Sequence, residues 1–252
     1  MKKAISIIIA AVIVISALTG CTAGSKLTAY ELYSKAVNDI REAGGYEVNS
    51  IMTTTYEGEL FADANTTMEL NTRQAGNISS VSVGYDGETV TTTILGEDVF
   101  IDTPESKMRY KLTSGQKPAD VAPERNAIPE IGEDLFEGVE VIKNDDGSKT
   151  FTITASGDHI NSFTNNQSLA DLLASDIGDM SIENIEVIFV FDKKDTIVSI
   201  EITEKIVVSY SFISINSTLH NIYTFVNVGT APKIETPNPD DYEQVDSFLE
   251  VE

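Results

Sequence analysis

From Tyr46 to Gly229, two stretches apart, the apolar residues of this chain return at every second position, a period that admits little besides an antiparallel sheet with one buried face. Tyr46, Val48, Met52 and Tyr56 alternate with Glu47, Asn49 and Thr53, and Met68 and Leu70 with Glu69 and Asn71. Threonine is dense throughout, as strands favour. Val81, Val83 and Tyr85 run into a turn at Asp86-Gly87, and Val90, Thr92 and Ile94 come back from it. A second turn at Gly96-Glu97-Asp98 leads to a short strand, Val99 to Ile101. The cleanest alternation follows: Met108, Tyr110 and Leu112 on one face, Lys107, Arg109 and Lys111 on the other. Links this short join adjacent antiparallel strands.

Two stretches break the rhythm. Ser114 to Gly138 contains Pro118, Pro123 and Pro129, with Ile128, Ile131, Leu135 and Phe136 spaced for a short helical turn near its end. A segment this long is either a cover over the domain or a solvated excursion. Val139 to Ala155 then reads as a hairpin turning at Asn144-Asp145-Asp146-Gly147, and Ser156 to Met180 as one or two short helices. The longest strands come last. Ile185, Val187, Phe189 and Phe191 alternate with Glu186, Ile188 and Val190, a pattern that predicts burial on both faces. Val198, Ile200 and Ile202, then Ile206, Val208, Tyr210 and Phe212, share one parity and so one face. Glu204 interrupts them, and marks either a bulge or a break between strands. Tyr223 and Phe225 belong to the final strand. The tail opens on Pro232, Pro237 and Pro239, and Tyr242, Val245, Phe248 and Leu249 are spaced for a helix that docks back; a frayed end is the alternative.

Ahead of the sheet the period is helical. Thr28 and Glu31 form a capping box. Ala29, Leu32, Tyr33, Ala36, Val37 and Ile40 recur on one face, and Gly44-Gly45 is expected to supply a left-handed residue that ends the helix.

The first twenty residues follow another logic. Met1-Lys2-Lys3 is basic, Ala4 to Leu18 is almost wholly apolar, and small residues follow, the layout of a secretory leader. The apolar run is shorter than the roughly 18 to 20 residues a membrane span needs. The chain has a single cysteine, Cys21, directly after this segment. Leu18-Thr19-Gly20-Cys21 resembles the lipobox of bacterial lipoproteins. The resemblance implies cleavage before Cys21, a diacylglycerol thioether on its sulfur, and a further acyl chain such as palmitate on its amine. Each buried methylene would add about 0.8 kcal/mol of membrane affinity, and more than one chain makes anchoring stable. Thr22 to Leu27 is the tether.

Charge and cysteine content exclude several classes. The formal net charge is −23, and loss of Lys2 and Lys3 with the leader takes it to −25. Such a surface repels nucleic acid and anionic headgroups. One cysteine allows neither an intrachain disulfide nor a thiolate cluster. No nucleophile elbow, phosphate loop or dinucleotide fingerprint is present, and His159 and His220 have no partners at zinc spacing. Ser114-Gly115-Gln116-Lys117 matches a serine-acylase motif, but Gly115 and Pro118 oppose the helix start it needs. Asn144, Asp145 and Asp146 offer oxygens for calcium, yet without the closing glutamate they read better as a hairpin turn. The expectation is a protein that is not an enzyme and holds no cofactor or metal.

The order of lipidated cysteine, tether, amphipathic helix and antiparallel meander resembles the LolA/LppX-like lipoproteins, nearest to a group of small Gram-positive lipoproteins of that shape. The resemblance implies an α+β fold: a strongly curved antiparallel half-barrel, of roughly ten to twelve strands, packed on the N-terminal helix and short helices. It divides the chain into a leader (1–20), a lipidated tether (21–27), a LolA/LppX-like domain (28–230) and an acidic tail (231–252). It further implies anchoring on the outer face of the cytoplasmic membrane, and a lipid or other hydrophobic ligand held between sheet and helices. Leu32, Ala36, Ile40, Met52, Met68, Met108 and Tyr110 are the candidate lining; the methionines serve equally as core filler. The alternative is a structural or interaction lipoprotein with a filled core, whose protein partner the sequence does not name. The soluble carrier of that family is not itself lipidated, which makes a tethered receiver a better expectation than a shuttle.

Overall fold

The computed structural model of the protein describes residues 27–57, 65–112, 128–162, 179–210 and 213–245. Within them one helix, α1 (Ala29–Glu42), precedes twelve strands. These are β1 (Gly45–Glu57), β2 (Asn65–Ala75), β3 (Ile78–Tyr85), β4 (Glu88–Leu95), β5 (Asp98–Asp102), β6 (Lys107–Lys111), β7 (Ile142–Lys143), β8 (Lys149–Ser156), β9 (Asp179–Phe191), β10 (Ile197–Tyr210), β11 (Ile213–Val228) and β12 (Glu243–Gln244). They form one curved sheet that does not close, in the order β12-β6-β5-β4-β3-β2-β1-β11-β10-β9-β8-β7. The α+β half-barrel expected from the sequence is the fold. Two meanders, β1 to β6 and β7 to β11, meet where β1 pairs antiparallel with β11 from Tyr46↔Val228 to Glu57↔Asn216.

Local chemistry explains the elements. Thr28 Oγ1 accepts the Glu31 amide at 3.2 Å, and the Thr28 amide donates to Glu31 Oε2 at 2.7 Å, completing the capping box. Asp86 and Gly87 both have positive φ (49° and 83°), as a two-residue hairpin between β3 and β4 demands. The end of α1 departs from expectation. Ala43 closes it in an extended conformation (φ −62°, ψ 131°), and neither Gly44 nor Gly45 has a positive φ. Gly45 is needed for space instead: a Cβ there would lie 2.4 Å from Ala231 Cα and 2.7 Å from the Gln74 carbonyl oxygen.

Other expectations are corrected by bulges. Glu204 does not break β10, which runs unbroken past it; the irregularity lies opposite, where Lys205↔Asn184 is followed by Ile206↔Ile182 and Glu183 is left over. Val198 is itself the extra residue between Ile197↔Phe191 and Ser199↔Val190, so it is exposed while Ile197 is buried. On β9, Ile185, Val187, Phe189 and Phe191 are buried but Ile188 and Val190 only half so: the second face is merely shielded. The tail docks without a helix among the described residues. A 3₁₀ turn at Pro239–Asp241 leads into β12, which pairs parallel with β6 through Glu243↔Met108 and Gln244↔Arg109. The open edge of β6 offers backbone partners that a helix would leave unused. Phe248 and Leu249 lie outside the described residues, as do Ser114 to Lys117 and most of the Ser156 to Met180 stretch.

The main core lies between α1 and strands β1 and β8 to β11. Leu32 and Ala36 are fully buried there, with Phe151, Phe189 and Phe191 on the sheet. The rings interlock: Phe151 and Phe189 stack with centroids 4.8 Å apart, and Tyr33 meets Phe136 at 5.0 Å and Phe189 at 5.9 Å. Ile128 to Phe136, the end of the proline-rich stretch, is wedged into the same core, and Glu133–Phe136 is the short helical turn expected there. Tyr33 holds that stretch: its hydroxyl donates to the Pro129 carbonyl at 3.0 Å and accepts the Ile131 amide at 3.0 Å. Burial pushes the phenol above its ordinary pKa. Tyr33→Phe strands both backbone groups and is expected to cost about 1–3 kcal/mol in urea unfolding. An unchanged midpoint would show that the stretch is held by its apolar residues alone.

Candidate functional site

Directly opposed residues of antiparallel strands share a face, so the register assigns a side to every strand residue. The face that carries α1, the inner face, is mostly apolar across the sheet. One row runs Phe225, Val48, Thr72, Val81, Thr92, Ile101, Met108 from β11 to β6. Another runs Phe151, Phe189, Ile200, Tyr223, Ser50, Leu70, Val83, Val90 from β8 to β4.

Four of the predicted lining residues, Met52, Met68, Met108 and Tyr110, lie on this inner face, and Leu32, Ala36 and Ile40 on the helix above it. They fall into three groups. Leu32 and Ala36 belong to the α1 core, with Ile40 packed at its margin. Met52 and Met68, opposed across β1 and β2, join Ile182, Ile206 and Leu219. Met108 and Tyr110 pack with Ile94, Val99 and Ile101 near the β6 edge, where Leu112 and Val245 close over them. Burial raises the Tyr110 phenol pKa.

Between the first two groups lies a polar seam that sequence reasoning did not assemble. Ser50 Oγ donates to Asn221 Oδ1 at 2.6 Å, and Asn221 Nδ2 donates to the Tyr223 hydroxyl at 2.7 Å. Ser217 donates to the Ile206 carbonyl at 3.5 Å. Glu204, opposed to Leu219 on one side and Ile185 on the other, is only 5% exposed. Its signal in the sequence is a carboxylate at an apolar position of the Ile200, Ile202, Ile206 series. Beyond the second group, toward β4, the inner face is less covered. Leu70 and Val83 are half-buried, while Tyr85 is 52% and Val90 39% exposed.

The outer face is polar. Hydroxyl ladders such as Ser82 with Thr91 (2.9 Å) run along it, and Glu47 accepts from Asn71 (3.1 Å), Arg73 (3.1 Å) and Asn227 (3.4 Å). Those contacts, the Asn71 hydrogen bond foremost, hold the Glu47 carboxyl below its usual pKa. The tail is fixed on this face. Tyr242 meets Phe100 edge-on at 5.1 Å, donates to Asp102 Oδ2 at 2.7 Å and lies under Lys107 Nζ, 5.3 Å from the ring centroid.

His220 Nε2 and Glu201 Oε1, 2.8 Å apart, form a half-exposed pair on the outer face. Their mutual hydrogen bond raises the histidine pKa above 6.5 and lowers that of the glutamate below 4.5. The histidine contribution is complete below pH 6.5 and is lost as pH rises through its folded pKa. The glutamate contribution is complete above pH 4.5 and is lost as pH falls through its folded pKa. The pair therefore stabilises most between those two values, by about 0–1 kcal/mol given its exposure. Urea midpoints of the wild type should fall from pH 6 to 8 by more than those of His220→Gln; parallel profiles would refute the coupling.

The asparagine and aspartates of the calcium expectation build the β7–β8 turn. Asp146 Oδ1 accepts from the Ser148 amide at 2.9 Å and hydroxyl at 2.6 Å, which holds its carboxyl below the usual pKa. Asn144 Nδ2 donates to Ser148 Oγ at 2.9 Å.

No family model and no curated protein matches the chain. Among solved structures, a LolA superfamily protein from Nitrosomonas europaea is 9% identical, with 83% of this chain and 96% of that chain covered and a TM-score of 0.30. An acyl-CoA thioesterase II from Mycobacterium marinum is 10% identical, over 72% of this chain and 81% of that one, with a TM-score of 0.12. Superpositions this loose carry no argument about function.

Proposed function

We propose that this protein is a lipoprotein anchored through Cys21 to the outer face of the cytoplasmic membrane, where its inner sheet face binds a lipid or other hydrophobic molecule. One observation carries the reading: the mostly apolar inner face extends from β8 to β6, further than α1 covers, and beside the β3–β4 turn it leaves Tyr85 and Val90 exposed. Exposed apolar surface costs about 25 cal/mol per Å², so covering it with a hydrophobic molecule is favourable. In this reading Leu70, Val83, Tyr85 and Val90 meet the ligand, Met52 and Met68 adapt to its shape, and no residue performs covalent chemistry.

Two experiments test the two halves. Solvent extracts of the purified protein, read by mass spectrometry, should yield a reproducible apolar species; clean extracts from several preparations would sink the binding half. Metabolic labelling with an alkyne analogue of palmitate should mark the wild type and not Cys21→Ala, which should leave the membrane fraction. A Cys21→Ala protein that stays membrane-bound would remove the anchor from the reading.

The dense aromatic packing under α1 favours a second reading, a structural or interaction lipoprotein with a filled core. Empty extracts together with a partner recovered reproducibly by crosslinking would select it.

A further inference from the structure

Apart from any ligand on the inner face, we infer that the free edge of β6 is a docking site for an extended segment of a partner protein. That segment sets an aromatic ring against Phe100 and a carboxylate against Arg109, and the chain's own tail is its resident, incomplete occupant.

Lys107, Arg109 and Lys111 stand at alternate positions on the outer face of β6, and the register gives each a neighbour on β5. Lys107 is matched with Asp102, Arg109 with Phe100 and Lys111 with Asp98. Lys107 forms an ion pair with Asp102 at 3.1 Å, and Lys111 a looser one with Asp98 at 4.0 Å. Arg109, faced by a phenyl ring, forms no ion pair among the described residues. Its side chain is half-buried, and its Nε is buried with no hydrogen-bond partner. Want of acids is not the cause, since the chain has 40 acidic residues against 17 basic ones. A guanidinium is a planar fork of donors that fits a carboxylate with two bonds. Leaving one of those donors buried and unpaired costs free energy that an incoming carboxylate would recover.

On the side of Arg109 away from β5 lies the tail. β12 places Gln244 beside Arg109, yet Gln244 Nε2 donates to the Val245 carbonyl at 3.2 Å. Two residues earlier Tyr242 takes the aromatic position, edge-on to Phe100 and hydrogen-bonded to Asp102. The tail therefore supplies the ring and lacks the carboxylate. Its hold is also slight. It passes from β11 to β6, six places along the sheet order, with Lys233, Glu235 and Thr236 exposed on the way, and pairs with β6 through two residues. A strand with a carboxylate in place of Gln244 would repeat every contact of the tail and add the missing one. Such strand addition draws affinity from the backbone ladder and specificity from alternate side chains. The added contact works against the tail's tethering, which is equivalent to a concentration on the order of millimolar.

The test reads the tail's hold on the full-length chain as the rate of tryptic cleavage after Lys233, which follows the population of the lifted tail. Gln244→Glu, a change at an exposed position, should slow that cleavage about tenfold at low salt. Arg109→Gln should abolish the gain. Asp246, Glu250 and Glu252 lie outside the described residues, so the pair is repeated on a chain ending at Val245, where the gain should persist. In trans, a fluorescent peptide of residues 240–245 carrying Gln244→Glu should bind the full-length Tyr242→Ala chain about tenfold more tightly than the unaltered peptide. Equal cleavage of wild type and Gln244→Glu, or a gain that survives Arg109→Gln, would overturn the inference. So would a gain seen only in the shortened chain, because an acid beyond Val245 would then already serve Arg109. Failure of both peptides to bind would overturn docking by a partner. If Arg109→Gln or Tyr242→Ala does not fold, as judged by far-UV circular dichroism, the comparison of wild type with Gln244→Glu decides the matter alone.

Discussion

Phe189→Ala is expected to lower the stability of this protein by about 3–5 kcal/mol, the range for truncating a buried aromatic ring. Phe189 is fully buried at the centre of the α1 core. It stacks on Phe151 and meets Tyr33 edge-on, so its loss empties a space bounded by two further rings. Tyr33 also orders the Ile128 to Phe136 stretch through its hydroxyl, which ties the helix, that stretch and the sheet to one site. Those rings are fixed by other contacts and collapse only partly into the void. The chain has no tryptophan, so urea unfolding is best followed by far-UV circular dichroism. Val190→Ala, on the half-buried outer face of the same strand, serves as the control and should cost clearly less. Equal losses from both would mean that β9 is not one-sided.

Gly45→Ala is expected to cost about 1–3 kcal/mol or more, although alanine is ordinarily a harmless replacement in extended backbone. The added methyl would meet backbone on two sides, Ala231 Cα at 2.4 Å and the Gln74 carbonyl at 2.7 Å. Neither can swing away as a side chain would. Gly45 also accepts the Gly229 amide at 3.1 Å, so the clash falls at the point where the tail leaves β11. Two readouts should move together: a lower urea midpoint, and faster tryptic cleavage after Lys233 as the tail lifts. Gly44→Ala, with nothing within 4 Å of its Cβ, should leave both nearly unchanged. An unaltered midpoint in Gly45→Ala would contradict the close approach.

What could be read from the chain depended on how far apart the deciding residues stand. The facing of β6 was legible because Met108 and Tyr110 contrast with Lys107, Arg109 and Lys111 within five residues. The capping box at Thr28 and the hairpin at Asp86-Gly87 were equally local. Alternation states which way a side chain points but not which strand lies beside it. The β1–β11 pairing and the parallel seat of β12 on β6 therefore had no signature. For the same reason the lining residues could be placed on one face and yet not divided into their three groups. The polar seam joins Ser50 to Asn221 across that non-local pairing, and its one conspicuous residue in the sequence, Glu204, reads there as a bulge or a strand break.

The meeting of β1 with β11 has a kinetic meaning. Each meander is built from neighbours in sequence and can zip as hairpins, whereas their joint brings residue 46 to residue 228. Joints of such high contact order are slow, because the loop-closure entropy falls due before any pairing offsets it. During synthesis the β11 side of β1 stays open until residues 216 to 228 have emerged, with Thr53 to Thr55 and Ile51 along it. Over that interval an unpaired strand can recruit a neighbouring copy. The joining of the two meanders is thus timed by the bare side of the first strand, which stays open until the last long strand arrives to fill it.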